Sequence, residues 1–220
     1  MTTTLAVIAK APVPGRVKTR LCPPCTLPEA ARLAEVSLRD VVGALLATPA
    51  DRRVVVLDGD APRWLPPQLE VVPQRGDGLD ERLAHAFADL GRALIVSMDT
   101  PQVRPADLVA GLRALGSHDA VLGPAADGGY WAIGLRRPDQ RALVGVPMGD
   151  DRTLAAQRRR LDALGLRRAE LRELRDVDTW DDAVAAAAEA PGTQFAAALS
   201  AAVDRLQHAL GAAGHEHAPG

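Results

Sequence analysis

The sequence predicts an α/β protein in which helices flank a mixed, mainly parallel sheet in three layers. Up to about residue 125, short apolar runs alternate with amphipathic segments along the 220-residue chain. Alternation of this kind is typical of parallel strands joined by helical crossovers. The pattern changes at Gly128-Gly129, so the sheet is not expected to stay purely parallel beyond that point. We expect one domain over residues 1–213 and a disordered tail over 214–220.

Short apolar runs predict the strands. Residues 53–58 (R-V-V-V-L-D) are the clearest case, because an unbroken apolar run is typical of a parallel strand buried on both faces. Pro62 and Pro66 break the chain soon afterwards. The other predicted strands cover residues 5–9, 70–73, 93–98, 119–123, 130–135 and 169–174.

Apolar residues at helical spacing predict the helices. Pro28 stands in the first turn of one of them, where proline is well tolerated. Thr179 and Asp182 have the spacing of a capping box, which predicts another helix start. An amphipathic helix beginning near Phe195 should pack on the sheet domain or on a second subunit, because a lone helix is marginal in water. The other predicted helices cover residues 27–47, 79–90, 105–115 and 152–166.

Composition and charge exclude several classes of function. A formal net charge of −2 gives no reason to expect nucleic acid or an anionic membrane as a partner. No apolar run approaches the roughly 20 residues of a membrane span, and the N-terminal residues do not resemble a signal peptide. We therefore expect a cytoplasmic protein that binds small molecules. Cys22 and Cys25 are too few for a zinc site, and we interpret the pair as incidental.

The segment at 10–21 (K-A-P-V-P-G-R-V-K-T-R-L) carries the strongest local charge and follows the first predicted strand. Its prolines and Gly15 exclude a regular helix or strand. Its four cations are Lys10, Arg16, Lys18 and Arg20. We expect this loop to be solvated, and a stiff cationic loop at the end of a strand is suited to binding phosphates. The alternative is a basic surface turn without a ligand.

Two carboxylates follow other predicted strands. In S-M-D-T-P, Asp99 stands at the carboxyl end of a strand, where an α/β sheet binds its ligands. In D-V-D-T, Asp178 stands next to a predicted helix start, with Asp176 two residues before it. Carboxylate oxygens suit Mg²⁺ or Mn²⁺. The alternative for Asp99 and for Asp178 is that each only caps a helix.

The segment at 123–131 (G-P-A-A-D-G-G-Y-W) predicts a ligand-facing loop. Gly128 and Gly129 allow the backbone to approach a ligand closely, and two aromatic residues follow in a chain that has few. This clustering favours the wall of a pocket. The alternative is a glycine hairpin that carries two core aromatics.

In this order the motifs resemble those of the nucleotide-diphospho-sugar transferase superfamily, which has a GT-A-like (Rossmann-like) fold. They are most similar to the rSAM/selenodomain-associated transferase 1 family, largely a domain of unknown function. The matching stretches are A-K-A-P-V-P-G-R-V-K-T-R-L, D-E-R-L-A-H-A-F, S-M-D-T-P, G-P-A-A-D-G-G-Y and D-V-D-T, within residues 5–182. The K-T-R-L end also resembles the guanylyltransferases that activate phospholactate-like acids. The chain departs from the family pattern at Asp80, at Trp180 and at the two cysteines.

The resemblance implies roles for particular residues. Asp99 and Asp178 would hold Mg²⁺ (or Mn²⁺), and with Lys18 they would form the catalytic group. Asp127, Gly128, Gly129 and Tyr130 would shape the acceptor pocket. The phosphate-binding residues would be Lys10, Gly15, Arg16, Lys18 and Arg20.

The function that the resemblance implies is nucleotidyl transfer from a nucleoside triphosphate to a small phosphorylated or carboxylate acceptor. A glycosyltransferase that uses a nucleotide-sugar is the alternative within enzymes, with Asp127 as its base. A non-catalytic nucleotide-binding protein on the same fold is the alternative outside enzymes. The base, the acceptor and the choice between monomer and homodimer stay open.

Overall fold

The computed structural model describes residues 2–215, with the backbone alone for 209–215. Within these residues no helix is both long and apolar enough to cross a membrane. Short 3-10 turns lie at Thr19–Leu21 and Gln140–Ala142. The strands are β1 (Thr4–Lys10), β2 (Arg52–Asp58), β3 (Glu70–Pro73), β4 (Ala93–Ser97), β5 (Ala120–Pro124), β6 (Tyr130–Leu135) and β7 (Arg168–Glu170). The helices are α1 (Leu27–Ala47), α2 (Leu79–Leu90), α3 (Pro105–Ala114), α4 (Thr153–Ala163), α5 (Trp180–Glu189) and α6 (Gln194–His215).

The strands form a seven-stranded sheet in the order β3-β2-β1-β4-β6-β5-β7. β6, which follows the glycine pair, runs antiparallel to both of its neighbours, and the other neighbouring pairs are parallel. The predicted mixed, mainly parallel sheet is therefore confirmed. Because β1 and β4 are parallel neighbours, the loops after Lys10 and Ser97 leave the same edge of the sheet side by side.

Helices cover both faces of the sheet, which gives the three expected layers. Along β1, Leu5 and Val7 belong to a core shared with α1 and α3, whereas Ala6 and Ile8 face the opposite core with α2 and α4. Successive side chains of a strand point to opposite faces. A strand buried on both faces therefore has an apolar residue at nearly every position, as the sequence shows.

β7 is shorter than the apolar pattern predicted, because the chain leaves the sheet soon after residue 170. Leu171 N still donates to Leu122 O at 2.8 Å, and after a break the pairing resumes at Leu174, whose N–H donates to Pro124 O at 3.1 Å. Within this break, Arg172 pairs through Nε with the buried carboxylate of Asp107 at 2.6 Å. This ion pair fixes the segment that leads from β7 towards residue 178.

The last helix packs on the sheet domain through α1, one of the two predicted arrangements. Asp40 on α1 accepts hydrogen bonds from the N–H groups of Gln194 (3.0 Å) and Phe195 (2.8 Å) and so holds the start of α6. Phe195 is buried in a cluster with residues of α1 and α5. The helix covers the first two residues of the expected tail at 214–220, and the rest of that tail lies outside the described residues.

One close contact joins β5 and β6 just before the loop between them. Trp131 is fully buried, and its indole lies against Gly123 of the neighbouring strand. A Cβ atom placed on Gly123 would be only 2.5 Å from a ring carbon of Trp131. The indole N–H donates to Arg172 O at 3.0 Å and thereby ties β6 to the segment after β7.

We expect the Gly123→Ala variant to lower the free energy of unfolding by about 1–3 kcal/mol, because the new methyl group overpacks the buried indole. The matched control is Gly43→Ala, an exposed position in α1 where no atom lies within 4 Å of the new methyl group. That change should be neutral or stabilise by up to about 1 kcal/mol through helix propensity. Urea unfolding measures both variants, and equal stabilities would contradict this account of the contact.

Candidate active site

A cavity of about 870 Å³ opens at the carboxyl ends of β1 and β4 and beside the start of β6. This volume lies within the usual range for small-molecule and cofactor sites. The predicted site residues that line it are Lys10, Arg16, Lys18, Arg20, Asp99, Asp127, Gly129, Tyr130 and Asp178. Gly15 and Gly128 do not line the cavity, and each instead shapes a loop that does, with φ angles of 78° and 87°.

Asp99 and Asp178 converge on one point, and the ammonium group of Lys18 lies at that point. Lys18 Nζ is 2.9 Å from Asp99 Oδ1 and 3.4 Å from Asp178 Oδ1. It also donates a hydrogen bond to Val177 O. The Lys18 side chain is only 7% exposed. The expectation that Lys18 stands on a solvated loop is therefore wrong, because its side chain turns inward to the carboxylates.

Backbone hydrogen bonds hold the two carboxylate segments together. Val177 N donates to Asp99 O at 3.0 Å, which joins the end of β4 directly to the D-V-D-T segment. On the other side of this strand end, the hydroxyl of Ser37 on α1 donates to Met98 O at 2.7 Å. Gln102 Nε2 donates to Arg175 O at 2.6 Å. The spacing of the two segments that carry the carboxylates is thus set by hydrogen bonds to main-chain carbonyls and not by the carboxylates themselves.

The sequence left open whether Asp99 and Asp178 cap helices. In the structure, other residues cap the two helices that follow them. Thr179 is the N-cap of α5, and its hydroxyl accepts from Asp182 N while Asp182 accepts from Thr179 N, so the predicted capping box is present. At the start of α3, the Asp107 carboxylate accepts from Arg104 N at 2.9 Å. Neither Asp99 nor Asp178 is needed to cap a helix, which leaves both carboxylates facing the cavity.

A third carboxyl group, that of Asp176, stands beside the pair. Its Oδ1 atom is buried and has no hydrogen-bond partner among the described residues. Burial and the nearby charge of Asp99 raise the pKa of Asp176 well above its usual range. Asp99 Oδ1 is buried as well, and its close partner is the ammonium group of Lys18 at 2.9 Å. The site therefore holds more acceptor oxygens than the chain itself satisfies.

Lys18 keeps its positive charge in this setting. Burial by itself would lower the pKa of Lys18, but the carboxylates of Asp99, Asp178 and Asp176 outweigh burial and raise that pKa above its ordinary value. One ammonium group thus faces three carboxyl groups. The balance of charge favours a further cation once the site is open to one.

These residues fit a hard divalent cation. The oxygens of Asp99 and Asp178 converge from two segments, and carboxylate oxygens are the ligands that Mg²⁺ and Mn²⁺ prefer. No group of three or more His, Cys, Asp or Glu side chains within residues 2–208, where side chains are described, is already gathered around a metal position. Mg²⁺ commonly binds proteins through one or two carboxylates, with waters and substrate phosphates as its other ligands.

The remaining cations of the loop lie at the mouth of the cavity. Arg20 is exposed, and its Nη1 atom is 3.5 Å from Asp178 Oδ2. Lys10 and Arg16 are also exposed and line the same cavity. The loop therefore presents positive charge to the cavity at its entrance and, through Lys18, in its interior.

The opposite wall combines the glycine loop with a second loop that the sequence analysis did not single out. Gly128 O accepts a hydrogen bond from Leu154 N at 2.8 Å. A Cβ atom on Gly128 would lie 2.2 Å from Asp151 O, so only glycine lets the two loops pack. Met148, Gly149, Asp150, Asp151 and Thr153 line the cavity as a result. A Gly-Asp-Asp run directly before a predicted helix was the available sequence signal.

Tyr130 stands between these two loops. Its hydroxyl is 3.5 Å from Gln157 Oε1 on α4 and 3.5 Å from the Met148 sulfur. Burial, with a smaller effect of the Asp80 charge, raises the pKa of Tyr130 above its ordinary value, so the hydroxyl stays protonated at neutral pH. Tyr130 therefore faces the cavity as a neutral group while it also packs on the apolar core. Trp131 is a core aromatic of the β5–β6 hairpin, as the alternative interpretation expected.

The D-E-R-L stretch at residues 80–83 contributes to a third side of the cavity. Arg82 Nη1 lies 3.1 Å from Asp58 Oδ2 and 3.2 Å from Gln74 Oε1. Gln74 Nε2 in turn donates to Ala9 O at 2.7 Å. Asp80, where the chain departs from the family pattern, accepts from Gly145 N at 2.8 Å. Arg82 thus joins α2 to the ends of β1 and β2, and Asp80 joins α2 to the loop before residue 148.

The cysteine pair lies at the start of α1, beyond the cavity. Both thiols are free, and Cys25 is buried against residues of α1 and α6. Burial raises the pKa of the Cys25 thiol to about 11, with smaller contributions from Glu29 and Cys22. A protonated, buried thiol is a poor nucleophile.

The sequence matches a family model over more than half of its length. The model, described as "Uncharacterized protein conserved in bacteria (DUF2064)", matches residues 33–150. The match includes α2, Asp99 and the glycine loop, and it ends just inside the loop that packs on Gly128. No protein of curated function matches the chain in sequence.

Solved structures share the fold. A protein of Desulfovibrio desulfuricans G20, named as a candidate nucleotide-diphospho-sugar transferase, is 26% identical with a TM-score of 0.83, and the match covers 94% of this chain and 98% of that one. The GT-A-like fold implied by the resemblance is confirmed.

Two more distant structures show the shared fold alone. A nucleotidyl transferase from Methanothermobacter is 17% identical with a TM-score of 0.55, covering 84% of this chain and 95% of that one. A homologue of Mycobacterium tuberculosis Rv0371c from Mycobacterium sp. strain JC1 is 18% identical with a TM-score of 0.56, covering 84% and 96%.

The packing of the glycine loop against the loop at 148–153 can be tested with a matched pair of glycines. Gly128 and Gly149 have similar φ angles, 87° and 83°, but a Cβ atom meets Asp151 O only at Gly128 and meets nothing within 4 Å at Gly149. Gly149→Ala should cost about 1–2 kcal/mol of unfolding free energy, from the left-handed backbone alone. Gly128→Ala should cost clearly more, because the Asp151 backbone must move. Thermal unfolding measures the stability of both variants. Equal losses of unfolding free energy would show that the two loops are not in close contact.

Proposed function

The chain belongs to the DUF2064 family, and from its site we propose that it is a metal-dependent transferase that uses a nucleotide, most closely a nucleotidyltransferase. The observation that carries this proposal is the convergence of Asp99 and Asp178 on one cation position, opposite a cationic loop. The likeness to a candidate nucleotide-diphospho-sugar transferase at 26% identity supports the nucleotide as the shared ligand. Within that superfamily we further propose that the chain belongs with the rSAM/selenodomain-associated transferase 1 family and is related to small-acid guanylyltransferases, a proposal supported by the resemblance of its motifs and of K-T-R-L.

Asp99 and Asp178 are the residues that would hold Mg²⁺ or Mn²⁺. When bound there, the ion supplies positive charge that neutralises the phosphates and stabilises the departing pyrophosphate. Lys10, Arg16 and Arg20 bind the same phosphates from the mouth of the cavity, and Gly15 turns the loop so that these side chains face it. The chain's own part in the reaction is therefore to position the phosphates and offset their charge.

The acceptor is a small molecule with an ionised phosphate or carboxylate oxygen. That oxygen attacks the α-phosphorus in line, the bond between the α-phosphorus and the bridging oxygen breaks, and pyrophosphate leaves with the electron pair. An ionised acceptor needs no general base. This fits the cavity, whose lining includes no histidine among the described residues. Asp127, Gly129 and Tyr130 line the acceptor side, with Gly128 fixing the loop behind them.

Glycosyl transfer from a nucleotide-sugar is the second candidate, and one observation favours it. Asp127 is exposed at the wall of the cavity, where it could take a proton from an acceptor hydroxyl. The same carboxylate pair would then bind the ion that stabilises a departing nucleoside diphosphate. The cationic loop, which suits a triphosphate, favours nucleotidyl transfer over this candidate.

A panel of nucleoside triphosphates with Mg²⁺ and pooled phosphorylated or carboxylate acids separates the two reactions. Pyrophosphate released only when an acceptor is present supports nucleotidyl transfer. Nucleoside diphosphate released from nucleotide-sugars supports glycosyl transfer. Binding of nucleotide without either product would instead support a non-catalytic nucleotide-binding protein.

We expect Asp178→Asn to lower kcat by roughly 100-fold or more, because an amide oxygen binds a divalent cation far less well than a carboxylate. Asp99→Asn should act alike, and the double variant should lose little more than either single one, since both residues serve one ion. The control is Asp181→Asn, an exposed carboxylate three residues further on that lines no part of the cavity. It should keep full activity. Unchanged turnover in Asp178→Asn would remove this residue from the metal site.

A further inference from the structure

We propose that Lys18 is the resident cation of the carboxylate pair and excludes a divalent ion until a nucleotide's phosphates draw its ammonium group away. The inference rests on the proposed function, because it assumes that Asp99 and Asp178 are the metal ligands. It adds that metal and lysine exchange at one place, so that metal and nucleotide bind cooperatively.

The ammonium group of Lys18 occupies the position between the two carboxylates that a shared cation would take. Its ammonium group lies 2.9 Å from Asp99 Oδ1 and 3.4 Å from Asp178 Oδ1, and it also bonds to Val177 O. A divalent cation bound by the same two oxygens must lie at about 2.0–2.6 Å from each of them. A metal ion there and the ammonium group would both touch the same two oxygens. Because the Lys18 side chain is only 7% exposed, water screens little of the repulsion between these two positive charges. Ammonium and metal therefore alternate at the carboxylate pair.

The backbone directs Lys18 into this position. Its φ and ψ angles, 49° and 33°, are left-handed, and among residues 2–215 it is the one non-glycine residue with a positive φ. Such a conformation costs about 1–2 kcal/mol in a residue with a Cβ atom. This left-handed backbone conformation turns the Lys18 side chain inward, whereas Arg16 and Arg20 on either side of it are exposed. Strain of this kind persists where the surrounding contacts require it, here at the ion pair.

The choice of lysine over arginine is also informative. Lys10 and Lys18 are the only lysines in the sequence. Apart from histidine, all its other basic residues are arginines. A guanidinium is a planar fork, whereas an ammonium is a compact point charge on a flexible stem. Only the ammonium has a size and a charge distribution close to those of a small metal ion, and its stem can swing. In this arginine-rich chain, both exceptions line the candidate site.

The phosphates of a nucleotide offer Lys18 another partner in the same cavity. When its ammonium group pairs with them, Asp99 and Asp178 lose their buried counter-charge beside the unpaired Oδ1 of Asp176, and the exposed Arg20 stays 3.5 Å from Asp178. The carboxylate pair then attracts a divalent ion more strongly than before. By linkage, the factor by which phosphate raises metal affinity equals the factor by which metal raises phosphate affinity. Without nucleotide, Lys18 keeps stray metal out and holds the carboxylates in place.

Metal binding without nucleotide tests the exchange directly. The signal of free Mn²⁺ in electron paramagnetic resonance gives its affinity for the wild-type protein, Lys18→Met and Arg20→Met. We expect Lys18→Met to bind one Mn²⁺ at least about tenfold more tightly than the wild type. Arg20→Met removes an equal charge 3.5 Å from Asp178, but from an exposed side chain, and should change the affinity less than about threefold. Equal or weaker binding by Lys18→Met overturns the exchange.

A second measurement leaves Lys18 in place, so it holds even if Lys18→Met folds poorly. In Lys10→Arg, Lys18 is the only lysine, and a ¹⁵N label at Nζ gives a single lysine signal in NMR. We expect metal-free tripolyphosphate to shift this signal, and Mg²⁺ to shift it further only when tripolyphosphate is present. A signal that tripolyphosphate leaves unmoved, or that Mg²⁺ alone moves fully, overturns the proposal.

The failure of the proposed function is separately visible. Asp99→Asn combined with Lys18→Met should bind Mn²⁺ at least about tenfold more weakly than Lys18→Met alone. If it binds equally well, Asp99 is not a metal ligand and the proposed function falls together with the exchange. If Asp99→Asn weakens binding while Lys18→Met does not strengthen it, the metal site stands and only the exchange is overturned.

Discussion

The repulsion between carboxyl groups that the fold forces together is the constraint on which the rest of the site depends. Asp99, Asp176 and Asp178 stand side by side at the carboxyl edge of the sheet, and only Lys18 lies buried among them with the opposite charge. Such an arrangement persists because the main chain imposes it. Val177 N bonds to Asp99 O, and Ser37 holds the preceding peptide, so the main-chain positions from which the two carboxylates project are fixed.

The same constraint explains why the site has distinct sides. Positive charge comes from one loop after β1, which is the neighbour of β4 in the sheet and therefore leaves the same edge. The opposite wall of the cavity comes from β6, the antiparallel strand, and from the loop that packs on Gly128. A purely parallel sheet would bring helical crossovers to this edge. Because β6 is antiparallel to its neighbours, it is the start of this strand, with Tyr130, that lies at the cavity.

Contacts outside the carboxylate cluster hold the loops around the cavity in register. The Arg172–Asp107 pair and the Trp131 N–H both fasten the segment between β7 and residue 178 to the rest of the molecule. Asp40 fastens α6 to α1 in the same way. Because Asp178 lies at the end of the fastened segment, its distance from Asp99 depends on packing some way from either carboxylate.

The sequence by itself determined the elements and most of the site. Apolar runs and helical periodicity are local properties, so they placed the strands, α1 and the capping box of α5, and the strand ends pointed to Asp99 and to the cationic loop. What only the tertiary structure decided was which side chains meet. Lys18 reads like its neighbours Arg16 and Arg20 in the sequence, but a left-handed backbone and two carboxylates more than 80 and 150 residues away turn it inward. The loop at 148–153 lines the cavity for a similar reason. It packs on Gly128 only because glycine has no side chain there. Local sequence patterns carry no information about contacts between segments that lie far apart in the chain.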